Sequence, residues 1–451
     1  MTASPSAQPL SHPKAHRIRH FLQPAVIASY GFMALLFPPG FALLVAISLL
    51  ACPSIWVAEL RSPRKGVATL CLSALMLILL QTLGLDVPAF ETPRMRWEDF
   101  FKWLLLLLGF FPLARWMGGS PERIGLLLGS ALAGLITGLL IAGNLGKILA
   151  FRHTLQTGFQ LLASVAGFAS GMAILGLIQF APRLFRQAQP LKGRLIRGVT
   201  LGLAMYLSLY ILVASESRGT YLGLVLVLPY ALWQLHRSNH QLAPQARRRM
   251  GFLLAGTLIL MGLGAYANQA AFRHRLEPDL RTLSALMQGQ YHDLTQVNQT
   301  ESSLAYRFQA QIAGFQAWRE RPWLGWGPIS SKALILNTGD PSLRLSHSSG
   351  KWLSHFHSGY TELLVRFGLT GLLLPLGAAL WLKRRGPQLQ AKAPEDFRIF
   401  ATSGVLLLLI WGISGVFSSD DARACITIVF AVNLSLMIGE KDTTTRMASS
   451  Q

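Results

Sequence analysis

Arg218, Arg307 and His357 are the side chains in this chain whose types suit chemistry at an anion. Each guanidinium offers a planar fork of donors for phosphate oxygens, and a neutral imidazole can accept a proton from a hydroxyl near neutral pH. Arg218 stands in Ser215-Glu216-Ser217-Arg218-Gly219-Thr220, a hairpin with almost no length between two apolar runs. Its charge must therefore sit at a membrane edge, where Gly219 permits close approach and where pairing with Glu216, or simple snorkelling, is the competing explanation. Arg307 lies on the flank of a segment in which Leu304, Phe308, Ile312, Phe315 and Trp318 recur with helical period, so a helix ending at Glu320-Arg321-Pro322 is predicted. An ion pair of Arg307 with Glu301 or Glu320 is the alternative there.

His355 and His357 precede a long apolar run, and either can serve as base or as a helix-entrance hydrogen-bonding residue. Glu362 is a secondary candidate base, although its spacing from Arg366 also predicts an intrahelical ion pair. The His-x-His spacing lacks a convincing third ligand, and Asp420 and Asp421 are adjacent rather than convergent, so no metal and no cofactor is expected.

The elements that must position these groups are membrane helices. Half of the chain, 51%, is hydrophobic, only 14% is charged, and mean hydropathy is +0.40 over 451 residues, outside the range of a soluble globular protein. Apolar runs long enough for roughly 30 Å of hydrocarbon fall at 22–36, 38–55, 66–85, 100–118, 122–142, 158–181, 195–215, 219–235, 251–270, 360–382, 398–417 and 422–439. The expected fold is an all-α polytopic membrane protein of about twelve transmembrane helices. The first two runs, separated by Pro38 and Pro39, can also be read as one broken, re-entrant hairpin. No small-residue cleavage site follows the first run, so it is expected to stay as an anchor. Cys52, Cys71 and Cys425 lie in or at the ends of runs without metal-ligand spacing and read as packing residues.

Lys and Arg fix the orientation. With the N-terminus inside, the interior segments carry about 24 of them against about 7 in the short exterior loops, so both termini are expected in the cytoplasm. That bias accounts for the net charge of +21 as helix orientation and contact with anionic membrane lipids, leaving no nucleic-acid partner to invoke. The chain then divides into a cytoplasmic tail (1–21), helices (22–271), one large exterior loop (272–359), further helices (360–439) and a cytoplasmic tail (440–451). In the loop, Leu276, Leu280, Leu283 and Met287 suggest an amphipathic surface helix, Trp323 to Pro328 a glycine-hinged turn with tryptophans at headgroup level, and 337–354 a mobile polar loop.

Three blocks together resemble the O-antigen ligase and polymerase superfamily of polytopic, GT-C-like bacterial glycosyltransferases: Ser217-Arg218-Gly219-Thr220-Tyr221-Leu222; Arg307 through Trp318 to Pro322-Trp323-Leu324-Gly325-Trp326-Gly327; and His357-Ser358-Gly359-Tyr360-Thr361-Glu362-Leu363-Leu364-Val365-Arg366-Phe367-Gly368-Leu369-Thr370-Gly371. The last is similar to the family's His-Asn-x-Tyr-Leu pattern, with Ser358 where the family usually has Asn. The resemblance implies an O-antigen ligase of the bacterial inner membrane with its site facing the periplasm, so that the large loop is periplasmic. Its partners would be an undecaprenyl-diphosphate-linked glycan as donor and lipid A-core as acceptor. The reaction would be metal-independent and inverting, with Arg218 and Arg307 on the diphosphate and His357 as general base. A sister polymerase shares the donor chemistry, and a lipid-linked glycan flippase is a further alternative that expects charges near the bilayer midplane, where these runs have almost none.

Overall fold

A computed structural model of the chain describes residues 13–51, 65–84, 93–142, 163–186, 191–215, 217–238, 303–328, 331–338, 355–390, 394–415 and 419–438, with isolated positions between 255 and 288 and at 343, 353 and 417. Among these residues there is no strand. The helices are α1 (Pro13–Leu36), α2 (Pro38–Ala51), α3 (Lys65–Gly84), α4 (Pro93–Leu108), α5 (Phe110–Met117), α6 (Pro121–Ala142), α7 (Ala163–Arg186), α8 (Leu191–Ser215), α9 (Arg218–Ser238), α10 (Ser303–Glu320), α11 (Ser331–Thr338), α12 (Gly359–Gln390), α13 (Glu395–Trp411) and α14 (Asp420–Ile438). Proline opens α1, α2, α4 and α6, where its missing N–H costs nothing and its fixed φ favours the first turn. The turn after α5 closes on Gly118 at φ 55°, whose N–H donates to the Ala114 carbonyl at 2.9 Å.

Four stretches are long and apolar enough to cross a membrane: Arg96–Met117, Pro121–Ile141, Ala163–Ala181 and Leu195–Ser215. Gln23–Leu36, Pro38–Ala51, Val67–Leu83 and Ala422–Met437 are shorter apolar helices, so a count of about twelve full crossings is not reached among the described residues. The run at 251–270 lies largely outside them. The fourteen residues of α2 rise only about 21 Å, short of a full span. They fold back on α1: the Tyr30 hydroxyl donates to the Leu44 carbonyl at 2.8 Å, and its ring meets Phe41 edge-on.

One apolar core, with Tyr30, Phe111, Phe168 and Trp411 among its largest fully buried side chains, runs through α1–α9 and α12–α14. A second, small core sits at one end of the bundle. There Ala310, Ala313, Leu334, Ile335, Leu343, Leu353 and Phe356 close over Val365, with Trp318 and Trp326 at the margin. Leu343 and Leu353, at 0% and 1% exposure, are joined by a 2.9 Å bond from the Leu353 N–H to the Leu343 carbonyl. That corrects the expectation of a mobile polar loop at these two positions, where both leucines are packed into the small core. The rest of 339–352, and most of the amphipathic stretch predicted at 276–287, lie outside the described residues.

The helix predicted over Leu304 to Trp318 forms as α10, but its buried side differs from the apolar stripe. Ala310 and Ala313 are buried while Ile312 and Phe315 are 41% and 45% exposed. Small residues let α10 approach α12 closely, so shape decides which face turns inward: a Cβ on Gly314 would lie 2.4 Å from Thr361 Cγ2.

Nor is the run at 360–382 one unbroken helix, because α12 kinks at Gly368 (φ 62°, ψ −154°), a conformation open only to glycine. The carbonyl and amide groups that the kink frees are taken by the segment after α10. Trp326 N–H donates to Val365 O at 2.9 Å, Gly327 N–H to Arg366 O at 2.7 Å, and Leu369 N–H to Pro322 O at 2.8 Å. The two backbones are so close that a Cβ on Gly368 would lie 2.3 Å from the Trp323 carbonyl. Trp323 itself is 70% exposed.

Candidate active site

Several helix ends meet at the end of the bundle that carries the small core. The first turn of α9, with Arg218 and Gly219, packs on the turn that follows α13, where a Cβ on Gly219 would fall 2.0 Å from Ser414 Oγ. The end of α13 and this turn hold the start of α12: Gly359 N–H donates to the Gly412 carbonyl at 2.9 Å, and the Tyr360 hydroxyl donates to Leu409 O at 2.7 Å. Phe417 packs against Gly359 and edge-on to Tyr360. Gly219, next to the half-buried Arg218, and Gly359, two residues after His357, thus both contact the turn that follows α13. Both α9 and α12 bring their N-termini there, which adds partial positive charge to that of the arginine.

Ser358 opens α12 as an N-cap, its Oγ facing the Thr361 N–H at 3.4 Å. The preceding residue, His357, takes φ 55°, and no other non-glycine residue among those described has a positive φ. Histidine tolerates this left-handed region better than most residues, but it is still a rare conformation, held by its surroundings. The reversal folds the ring of His357 against that of His355, with centroids 3.9 Å apart, and lets the His357 N–H donate to His355 Nδ1 at 3.2 Å. Because Nδ1 of His355 accepts, its neutral ring carries the proton on Nε2.

Arg307 reaches this turn from α10. Its charge acts on both imidazoles, and its Nε is buried without a hydrogen-bond partner among the described residues. Burial, then the neighbouring His355, then Arg307 lower the pKa of His357 from 6.5 to about 2. His355 is lowered by burial and by Arg307, against an opposing pull from Glu362. Both rings are therefore neutral at pH 7 and hold a lone pair. Glu301 lies outside the described residues, and Glu320 is exposed at the far end of α10.

Glu362 is 1% exposed, and both of its oxygens are engaged. Oε1 accepts the Phe356 N–H at 2.8 Å, while Oε2 accepts Arg366 Nε at 3.0 Å and the Ser331 hydroxyl. The ion pair with Arg366 is the one the spacing predicted. Arg366 extends the network further, with Nη1 donating to Asp99 Oδ2 on α4 at 2.9 Å and Nη2 to Ser331 Oγ at 3.3 Å. Lys102 stands 3.3 Å from the other oxygen of Asp99.

Asp99 and Ser331 were not singled out by sequence. Ser331 gives no local signal at all. Asp99 stands where an acidic residue adjoins a strongly apolar run, Phe100 to Phe111, which is the one cue that could have marked it.

A family model described as O-antigen ligase matches residues 203–376, a stretch that contains α9, α10, the cap and the first part of α12. Arg218, Arg307, His355, His357 and Glu362 all fall inside the matched region. The match supports membership of the O-antigen ligase and polymerase family. No curated protein matches the chain.

Proposed function

We propose that this chain is an O-antigen ligase. It transfers a polysaccharide from undecaprenyl diphosphate to a sugar hydroxyl of lipid A-core at the periplasmic face of the bacterial inner membrane. The observation that carries this reading is the buried Nε of Arg307, without a hydrogen-bond partner among the described residues, beside a neutral His355–His357 pair inside the region matched by the family model. A cation with spare donors next to an uncharged base is what an anionic leaving group and a hydroxyl nucleophile require.

In the proposed reaction the acceptor oxygen attacks the anomeric carbon as the bond from that carbon to the diphosphate breaks. The acceptor proton passes to the imidazole of His357, and undecaprenyl diphosphate leaves with the bonding pair. In-line displacement inverts the anomeric centre. Arg307 and Arg218 bind the diphosphate and meet the charge that grows on it, in surroundings where partial dehydration strengthens each contact. The low proton affinity of His357 before substrate binds has a use here. Arg307 is one of the three causes that depress it, so an anion docking on Arg307 offsets that cause and makes the imidazole a better base when substrate is present. No metal enters the scheme, since the arginines supply the positive charge.

The test is transfer from purified undecaprenyl-diphosphate glycan to purified lipid A-core by the purified chain, with Arg218→Ala, Arg307→Ala and His357→Ala in parallel. Loss of capped product in folded variants is expected. Full transfer by all three rules the proposal out. In cells, bare core on loss of the gene supports ligation, whereas single-repeat caps would instead identify a polymerase.

A further inference from the structure

The proposed base is a histidine in a strained turn, and such a turn needs something to hold it. The backbone amide between the two histidines is the N–H of Phe356, which donates to Glu362 Oε1 at 2.8 Å. Glu362 is itself clamped through Oε2 by Arg366 and Ser331, and Arg366 is tied across the bundle to Asp99 of α4. Both oxygens of Glu362 are engaged, and the residue is almost fully buried, which keeps its carboxylate away from a substrate. Phe356, 1% exposed in the small core, pins the same amide from its side-chain side.

We propose that Glu362 is a positioning residue that fixes the His355–His357 turn through the Phe356 amide, and that Asp99, acting through Arg366, sets where Glu362 sits. This rests on the reading of His357 as base given above. The arrangement resembles a helix cap extended backwards: a carboxylate inside the first turn of α12 reaches past the capping Ser358 to an amide two residues before it. A change at Asp99, on a helix remote in sequence, should therefore be felt at His357.

The experiment uses the full-length purified chain in the transfer assay, with local amide hydrogen exchange over residues 353–360. Glu362→Ala is expected to lower kcat about 100-fold, the scale of a misplaced catalytic group, with donor KM within about twofold. Glu362→Gln keeps an acceptor for the Phe356 N–H, and Asp99 still neutralises Arg366, so this variant folds and should recover about tenfold of the kcat lost by alanine. Glutamine has no basicity, so rescue by it excludes proton transfer to Glu362. Asp99→Asn should cost about 3- to 10-fold in kcat alone. Glu362→Ala combined with His357→Ala should be no slower than His357→Ala, because Glu362 acts only through the histidine. Exchange at 353–360 should quicken in Glu362→Ala and stay near wild type in Glu362→Gln. A glutamine variant as inactive as alanine with unchanged exchange in both, or rate losses that multiply in the double variant, overturns the proposal. Wild-type transfer by His357→Ala would remove the base assignment instead, and the exchange readout would still decide the positioning role by itself.

Discussion

The first segment of α12, from Gly359 to its break at Gly368, is held in two different ways at its two ends. At its start, beside one backbone bond from Gly359 to Gly412, the constraints are side chains: Glu362 on the Phe356 amide, Ser358 as cap, Phe417 against Gly359. At its finish they are backbone, with residues 322–327 hydrogen-bonded onto residues 365–370 where only glycine fits. The start carries the candidate chemistry and the finish carries architecture. Side-chain constraints can be tuned by single substitutions without rebuilding the chain path, whereas a backbone splice is kept or lost as a whole.

That contrast is tested most severely at its two poles. His357→Ala should cut transfer by about 10²- to 10⁴-fold while leaving thermal stability near wild type, as the ratio of rates and a melting curve would show. Gly368→Ala should do the reverse: a Cβ 2.3 Å from the Trp323 carbonyl, in a φ/ψ region closed to alanine, costs about 3 kcal/mol or more and should lower yield and Tm before any kinetic effect is measurable. If Gly368→Ala melts normally, the backbone splice does not hold the kink. Arg307→Ala should raise donor KM about 10- to 100-fold, the worth of one charged hydrogen bond, with a smaller change for a donor analogue lacking one phosphate. A pH titration gives a gentler effect. Folded His357 has a pKa of about 2 against 6.5 in an unfolded chain, so the unfolded state takes up the proton first as pH falls. The contribution of His357 is then fully present above about 6.5 and declines toward about 2, at no more than about 1.4 kcal/mol per pH unit. His355 shifts in the same direction, and Arg307 and Glu362 are the charged groups acting on the pair. Tm should therefore fall between pH 6.5 and 5 in wild type and less in His357→Gln, while kcat/KM shows no acid limb near 6.5. Least of all, Gly125→Ala, with no atom within 4 Å of the added carbon, should raise stability by about 0.5–1 kcal/mol and leave transfer unchanged.

Much of the helical skeleton was legible, because apolar runs and proline starts act locally and each can be read without knowing its neighbours. So was the likeness to the family whose model matches, since the blocks at 217–222, 307–327 and 357–371 all sit within the matched region. What could not be read was tertiary. Asp99 meets Arg366 across 267 positions, and no spacing encodes that. The buried face of α10 does not follow its large apolar residues, because close approach to α12 selects alanine and glycine. Leu343 and Leu353 were lost in a polar average that hides two anchors. The positive φ of His357 has no sequence signature beyond the glycine two positions on.

Residues 322–327 leave the ribosome before Gly368 does, so the edge that receives the broken helix exists first. Joining them closes a loop of about 40 residues, a modest entropic demand that can be met while the chain is still being made. The direction in which α12 continues after the break is bound to this upstream segment, and a nascent chain truncated just past Thr370 contains every atom of the joint.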